Sequence, residues 1–394
     1  MRIGRAELRS FTLPLVKPLP TGFGVISSRA GYFIRLVDEE GRCGHGEATP
    51  LAEFGTEDRV SCERALGRGL EDLIAAGSLS LEEALALISK SGAGAPCARA
   101  ALDSALHDLA AQAAQRPLSF WLHTRAGLPG RPSSRVAVQA IVGGDDAESV
   151  HASAKRLVAD GFEAFKLKLA TVAGSRELAS DLERVAALRE TVGPGRRIRL
   201  DANEAWTLTE AVSALSSLER FDIDFVEQPV ARGDPAALKE LDQSGAVPVA
   251  ADEALLGSPA AGTSGWSACL EARSASIFVV KPAALGGIEP ALALAARARS
   301  LDIRVIWSSL IDGAVSRAAA VALAAGLGAE GEVHGLGTAG LLARDLVEPA
   351  IEGADREAGS IRLSDSNGLD WRVDDLVAER NEIWGPLRLF GSRS

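Results

Sequence analysis

From about residue 136 onward the chain repeats one unit: a short apolar or β-branched run, a polar or glycine turn, then an Ala/Leu-rich stretch with helical spacing. The runs fall near 136–142, 163–169, 197–203, 222–228, 247–252, 276–282, 303–309 and 331–336, spaced at roughly 25 to 30 residues as in parallel βαβ units. Eight such units predict a sheet that closes into a barrel rather than an open one. Neither a Gly-x-Gly-x-x-Gly motif nor a phosphate-loop lysine follows the first run, which weighs against a dinucleotide-binding sheet.

The stretch before it has a different texture. Residues 31–37 and 44–48 flank the turn-rich Asp38-Glu39-Glu40-Gly41 and read as a hairpin. Ala/Leu-rich segments near 57–76, 80–90 and 96–115 follow, the last with Pro96 in the first helical position. These predict an α+β capping domain over residues 1–130, closed by a Pro/Gly/Ser-dense linker at 128–134. The barrel then occupies 131–342. The segment 343–394, with strand-like runs at 360–363 and 369–373, is expected to return to the capping domain.

Charge and composition narrow the partners. The chain carries 42 Lys and Arg against 53 Asp and Glu, a net charge of −11, which disfavours nucleic acid and anionic membranes. No leader-like apolar region opens it and no apolar run is long enough to span a bilayer. Cys43, Cys62, Cys97 and Cys269 are scattered without a C-x-x-C pair, which fits a reducing, cytoplasmic location. The apolar, Ala-rich helices offer surface for a homo-oligomer.

In a barrel the reactive groups stand at the C-terminal ends of strands. Here those ends read Lys166-Leu167-Lys168, Asp201-Ala202-Asn203, Glu227-Gln228-Pro229, Asp252-Glu253 and Lys281-Pro282. Side chains alternate along a strand, so Lys166 and Lys168 share the inner face while Leu167 and Leu169 meet the helices. The same parity turns Asp201, Asn203, Glu227 and Asp252 inward and leaves Glu253 turned away or at the rim. Three carboxylates on successive strands repel one another unless a cation neutralises them. An all-oxygen set without His or Cys favours a hard ion such as Mg²⁺, with Mn²⁺ as a second candidate. Lysine is scarce in this arginine-rich chain, yet Lys166, Lys168 and Lys281 sit at two of these strand ends. Unlike arginine, a buried lysine beside another cation can give up its proton. Metal and amine together describe removal of the α-proton of a small carboxylate substrate, with an enediolate stabilised by the ion.

These motifs resemble the muconate-lactonising branch of the enolase superfamily over nearly the whole chain. The resemblance implies a (β/α)₇β barrel with Mg²⁺ on Asp201, Glu227 and Asp252, and acid/base lysines on the second and sixth strands. Within that branch, Gly31-Tyr32-Phe33, residues 44–51 with Phe54, Ile306-Trp307-Ser308-Ser309-Leu310 and residues 335–342 look like o-succinylbenzoate synthases of menaquinone biosynthesis. That likeness implies a carbon–oxygen lyase in which Lys168 removes the α-proton and then protonates the departing hydroxide, with Lys281 as a cation on the other face.

The same lysine pair also serves racemases and epimerases, each amine working on its own face of the α-carbon. An N-acylamino acid racemase or a dipeptide epimerase is therefore the alternative, although the aspartate pair typical of dipeptide epimerases is not evident at the later strand ends. A non-catalytic metal-binding relative is the third reading. Specificity is assigned to the loop over residues 21–29 and to the last two strand ends. There Arg29, Ser308 and Ser309, together with Asn203, are the candidate substrate contacts. His334 reads as hydrogen-bonded scaffold, and Glu47 as a structural or pocket-facing polar group rather than a catalyst.

Overall fold

The computed structural model describes residues 1–21, 24–169, 178–256, 265–347, 359–369 and 383–391. At the N-terminus, β1 (Ile3–Thr21) and β2 (Gly24–Asp38) form a long antiparallel ribbon, and β3 (Cys43–Ala48) pairs with β2 from Val37↔Cys43 to Tyr32↔Ala48, the expected hairpin. Three helices pack on this sheet: α1 (Arg59–Ala75), α2 (Leu81–Ser91) and α3 (Pro96–Ala113). Asp58 and Ser80 cap the first two by accepting from the amides of Ser61 and Glu83. α3 follows Ala95, which has no capping group, and the buried Glu57 instead accepts the amides of Cys97 and Ala98 at 3.1 and 2.8 Å. A Cβ at Gly44 or Gly46 would run into the α3 carbonyls of Ala105 and Ala101, so these glycines let β3 lie directly on the helix.

The short α4 (Leu118–Arg125) leads to the repeating unit: β4 (Arg135–Val138), β5 (Ala140–Val142), α5 (Ala147–Ala159), β6 (Ala164–Lys168), α6 (Leu178–Val192), β7 (Arg197–Asp201), α7 (Leu208–Leu218), β8 (Phe225–Glu227), α8 (Pro235–Ser244), β9 (Val249–Ala251), α9 (Gly265–Ala272), β10 (Ile277–Val280), α10 (Pro282–Leu285), α11 (Ile288–Ser300), β11 (Arg304–Trp307), α12 (Ala314–Leu327) and β12 (Val333–His334). Strands β5 to β11 form one curled parallel sheet in sequential order. β12 lies parallel to β4, and a Ser308–Gly335 bridge ties it to the end of β11.

Three details differ from the sequence reading. The first run is two strands, because the chain changes neighbours at Gln139: its amide donates to His334 O at 2.9 Å, and only the residues beyond it pair with β6. In the tail, β13 (Ser360–Arg362) does not reach the capping sheet. It runs antiparallel to β4 and buries Ile361 against the C-terminal core, whereas β14 (Trp384–Gly391) does pair with β1. Residues 370–373 of the second tail run lie outside the described residues. The segment over 21–29 is the tip of the β1–β2 ribbon rather than a loop, with Leu19↔Ile26 and Thr21↔Gly24 in register; Gly22 and Phe23 are outside the described residues.

Strand parity follows the expected rule. Phe225, Ala250, Ile277, Val279 and Ile306 form their own small cluster inside the curl, while Val226, Val249, Ala251, Phe278 and Val280 join the large core against the helices. Beneath the inner cluster's rim lies Arg199, fully buried. It donates to Asp224 at 2.8 Å, Gln139 at 2.9 Å, Glu332 at 3.0 Å and the Val333 carbonyl at 2.7 Å, and its guanidinium stacks 4.8 Å from the Phe225 ring. One side chain thus joins β7 to β8, β12 and the β4–β5 break.

Arg199→Ala should lower the stability to urea by about 3 kcal/mol, the lower end for breaking a buried ion pair, because Arg304 still reaches Asp224 and Glu332 while Gln139 and Val333 O lose their donor. A loss below about 1 kcal/mol would show that the plug is not needed.

Candidate active site

A cavity of about 730 Å³ opens between the C-terminal ends of the parallel strands and the tip of the β1–β2 ribbon. Lys166, Lys168, Asp201, Asn203, Asp252, Lys281, Ser308 and Ser309 line it, as do Leu19, Val25, Ile26 and Phe54 from the capping domain. β6 and β10 stand apart with β7, β8 and β9 between them, which sets Lys168 and Lys281 on two sides of the acidic groups.

The carboxylates are buried, the lysines half-buried, and the charges interlock. Lys166 Nζ lies 2.8 Å from both carboxylate oxygens of Glu227 and 2.8 Å from Asp201 Oδ2. Lys281 pairs with Asp252, and its Nζ also lies 4.3 Å from the centre of the Phe54 ring. Burial pushes Glu227 up to about 8 and Asp252 up to about 6 in spite of these ammoniums. Asp201 goes the other way: burial would raise it, but Lys166 and Lys168 outweigh that and hold it below the usual carboxylate range. The lysines divide likewise. Burial opposes the charge of Lys166, yet Asp201 and Glu227 raise its affinity for the proton. For Lys168 burial prevails over Asp201, and with Lys166 and Lys281 nearby its proton is held less tightly than in an ordinary lysine.

Among the described residues no three acidic, His or Cys side chains stand as a ready chelate; the Lys166 ammonium occupies the space between Asp201 and Glu227, and Lys281 holds Asp252. The donor chemistry nevertheless fits a hard divalent cation: three buried carboxylates on adjacent strand ends, oxygen only, with more acid than the ammoniums suppress.

The remaining candidates fall into two groups. Asn203, with a left-handed φ of 45°, turns back on Asp201 and donates to Oδ1 from both its amide and its side chain, at 3.0 and 2.8 Å. Ser308 and Ser309 reach the cavity; Ser308 Oγ donates to Gly335 O at 3.3 Å and Ser309 Oγ meets Thr338 Oγ1 at 3.0 Å. Arg29 does not line the cavity. It is 3% exposed, and its guanidinium donates to the carbonyls of Thr49 and Pro50, so the expected substrate contact is replaced by a link within the capping domain. Glu47 is scaffold, accepting the amides of Gly313 and Ser316 at the start of α12; burial, then Asp312, pushes it up to about 7. His334 is scaffold too, its Nδ1 accepting from the Trp307 amide at 3.2 Å.

Strand parity misplaced Glu253. The chain leaves the extended conformation at Asp252 and enters a 3₁₀ turn over Glu253–Leu256, so alternation stops and Glu253 is buried in the cavity wall. Gln228 was passed over as part of a motif: its Oε1 accepts the amides of Asp252 and Ala254 at 3.0 and 3.1 Å, fixing the end of β9 from the end of β8. Arg232 pairs with Glu204 and donates to Phe54 O, anchoring the capping segment beneath Lys281. A glutamine at a predicted strand end, Gln228 between Glu227 and Pro229, was the sequence signal available for this group.

A curled parallel sheet with an antiparallel capping sheet, and lysines and carboxylates at its strand ends, defines an enolase-like protein. Residues 149–377 match the family model described as enolase C-terminal domain-like, and residues 6–122 match that of the mandelate racemase / muconate lactonizing enzyme N-terminal domain. The chain belongs to this family of the enolase superfamily. The L-Ala-D/L-Glu epimerase of Bacillus subtilis (strain 168) is 29% identical over 328 residues, 82% of this chain and 85% of that protein. The N-succinyl-L-Arg/Lys racemase of Bacillus cereus is 26% identical over 321 residues, 81% of this chain and 83% of that one. Among solved structures, a dipeptide epimerase from Enterococcus faecalis V583 complexed with Mg and the dipeptide L-Leu-L-Tyr is similar with a TM-score of 0.82 at 26% identity, covering 94% of this chain and 99% of that one. These comparisons overturn the expected carbon–oxygen lyase of menaquinone synthesis. The relatives are named for epimerisation, racemisation and cycloisomerisation, which are isomerase rather than lyase names. No helix among the described residues is long and apolar enough to cross a membrane.

Burial holds His334 neutral, with its pKa lowered to about 4. The unfolded chain therefore takes up this proton first, at about 6.5, and stability present above that pH is lost as pH falls toward 4. Compared with His334→Asn, which keeps an acceptor for the Trp307 amide, the native protein should lose about 2 to 3 kcal/mol more between pH 7 and pH 4.5 in urea titrations. Equal losses would refute a neutral His334.

Proposed function

We propose that the protein is a Mg²⁺-dependent racemase that inverts the α-carbon of an N-acylated amino acid. The observation that carries this reading is the placement of two half-buried lysines, Lys168 and Lys281, on two sides of one cavity with the buried Asp201, Glu227 and Asp252 between them. Asp201, Glu227 and Asp252 are the ion's ligands in this reading, and Asn203 fixes the rotamer of Asp201. When bound, the ion supplies Lewis-acid stabilisation of the negative charge that develops on the substrate carboxylate. Lys168, whose proton is loosely held, takes the α-proton from one face, and Lys281 delivers one to the other; for the opposite antipode the roles reverse. Lys166 stays an ammonium and offsets the surplus acid. Ribbon residues Leu19 and Ile26 supply apolar cover over the reacting carbon.

One feature of the cavity and one relative favour an acylated nitrogen over a free dipeptide. The described lining at the ends of β11 and β12 is uncharged: Ser308, Ser309, Leu310, Ile311, Gly335, Gly337, Thr338 and Leu341 offer no counter-charge to an α-ammonium there. The relative named for N-succinyl-L-Arg/Lys racemisation supports the same class. On the fold, the pairing of β12 with β4 and its bridge to β11 support closure as a (β/α)₇β barrel, and the free cysteines fit a cytoplasmic setting.

A panel of N-acyl amino acids and dipeptides incubated in D₂O with Mg²⁺ should show loss of the α-proton signal and growth of the antipode for N-acyl substrates. Exchange confined to dipeptides, or none with Mg²⁺ bound, would sink the reading. Lys168→Ala, Lys168→Arg and Lys281→Ala should each slow racemisation about 100-fold or more, while α-proton exchange persists in only one antipode, a different one for the Lys168 and the Lys281 variants. Full activity in Lys168→Arg would remove Lys168 as the base.

Mg²⁺ at about 100 times its dissociation constant should stabilise the protein by about 2.7 kcal/mol in thermal unfolding. Glu227→Gln should abolish that gain, and an unchanged gain would place the ion elsewhere.

A further inference from the structure

Lys281 has two acidic neighbours just beyond the adjacent strand β9, and one of them keeps an oxygen without a hydrogen bond. Its ammonium pairs with Asp252. Glu253, the next residue, is 4% exposed and lines the same cavity, yet its Oε2 accepts no hydrogen bond among the described residues. A buried carboxylate oxygen without a partner is rare in a native fold and asks for a cause. Lys281 is the charge that acts on it most strongly. The other cation nearby, Arg232, is committed to Glu204 at 2.6 Å and to the Phe54 carbonyl.

An ion that draws on Asp252 competes with Lys281 for the same carboxylate and weakens its hold on the ammonium. In the reading above Asp252 turns to the ion, which leaves the half-buried Lys281 ammonium with less of its counter-charge. We propose that Glu253 is the positioning residue of Lys281, taking over the ammonium when Asp252 is engaged and so setting where the amine stands against the substrate. The frame for this exchange is rigid. Gln228 Oε1 accepts the amides of Asp252 and Ala254, on either side of Glu253, so the backbone holds still while the lysine swings between neighbouring carboxylates. The purpose of the exchange rests on the proposed racemase reading, whereas its test needs neither substrate nor activity.

Asp252→Asn in the metal-free protein imitates the withdrawal of Asp252. Its crystal structure should place Lys281 Nζ at about 3 Å from a Glu253 oxygen; should that variant fail to fold, the unmodified protein loaded with Mg²⁺ reads the same distance. An ammonium still on the side chain at position 252 overturns the proposal. In thermal unfolding, adding Glu253→Gln to Asp252→Asn should lower Tm by about 3 °C or more, and Lys281→Met in that double variant should restore it. A Tm loss that Lys281→Met does not relieve means that Glu253 serves only packing, or waits for a donor on the substrate, and rejects its role toward Lys281. Glu253→Gln alone should leave the Mg²⁺-induced rise in Tm intact; its disappearance would make Glu253 a ligand of the ion instead. With N-acetyl-L-leucine and N-acetyl-D-leucine as probes, Glu253→Gln should cut kcat about tenfold from the antipode that Lys281 deprotonates, with KM within about twofold. Absence of turnover in the unmodified protein would count against the racemase reading and leave the distances and Tm values to decide this one.

Discussion

Three carboxylates closed off from water at neighbouring strand ends repel one another by several kcal/mol per pair, about 4 kcal/mol at 4 Å for an effective dielectric of about 20. Everything else at this end of the molecule answers that repulsion. Lys166 answers it directly, with its Nζ 2.8 Å from Asp201 and Glu227 alike. A lysine suits the position better than the far commoner arginine of this chain, because a compact point charge fits between two carboxylates and withdraws without breaking a planar, forked contact. Lys168, two residues along on the same inner face, then stands near a cation with less acid to itself, and burial loosens its proton. Period-two geometry thus makes one strand supply two ammoniums that hold their protons unequally.

The cavity has a second wall, and the capping domain holds it by satisfying groups that the C-terminal unit leaves open. Helix N-termini expose amides with no partner inside the helix. Asp103 of α3 accepts those of Ile288 and Glu289 at the start of α11, and Glu47 of β3 accepts those of Gly313 and Ser316 at the start of α12. Arg99 donates to the carbonyls of Leu285 and Gly286 just beyond Lys281 and α10. These bonds place α3 and β3 over the strand ends, and through them the ribbon whose tip covers the site. Burial of acids such as Glu47 and Asp103 is therefore structural, and their raised pKa values mark an interface rather than catalysis.

The site was legible wherever a residue lies on a regular strand. Parity along β6, β7, β8 and β10 is enough to bring Lys166, Lys168, Asp201, Glu227 and Lys281 to one face, and the repeating texture is enough to order those strands. Legibility ended where the backbone left the strand. Glu253 follows the last residue that obeys parity, and a 3₁₀ turn carries it inward. Gln228, with a φ of 39°, and Arg232 act through backbone carbonyls and amides of segments distant in sequence, which no local pattern announces. Arg29 misled for a related reason: a lone arginine near a predicted loop reads as a ligand contact, whereas the partner it found is the peptide backbone of Thr49 and Pro50. The reaction class stayed ambiguous because the same amines serve loss of hydroxide and return of a proton; the difference lies in what the substrate carries.

The left-handed residues show where the cavity's shape is stored. Asn203, Glu204, Gln228 and Ile311 all have φ between 39° and 61°, and all stand just beyond strand ends. Asparagine tolerates that region, and here it gains two hydrogen bonds to Asp201 by adopting it. Isoleucine does not tolerate it, since a β-branched side chain crowds the backbone there. Ile311 is held by its neighbours: Leu310 donates to Asp312 Oδ2 at 3.1 Å, and Gly313 donates to Glu47 Oε1 at 2.6 Å. Strain of this kind persists only when the surroundings over-determine it. The conformation of a residue that lines the cavity is thus imposed from the capping strand β3, so the shape of the uncharged end of the site depends on a carboxylate, Glu47, that does not itself line the cavity. Substitutions in the cap that never meet the substrate can therefore reshape this end of the pocket by releasing one strained residue.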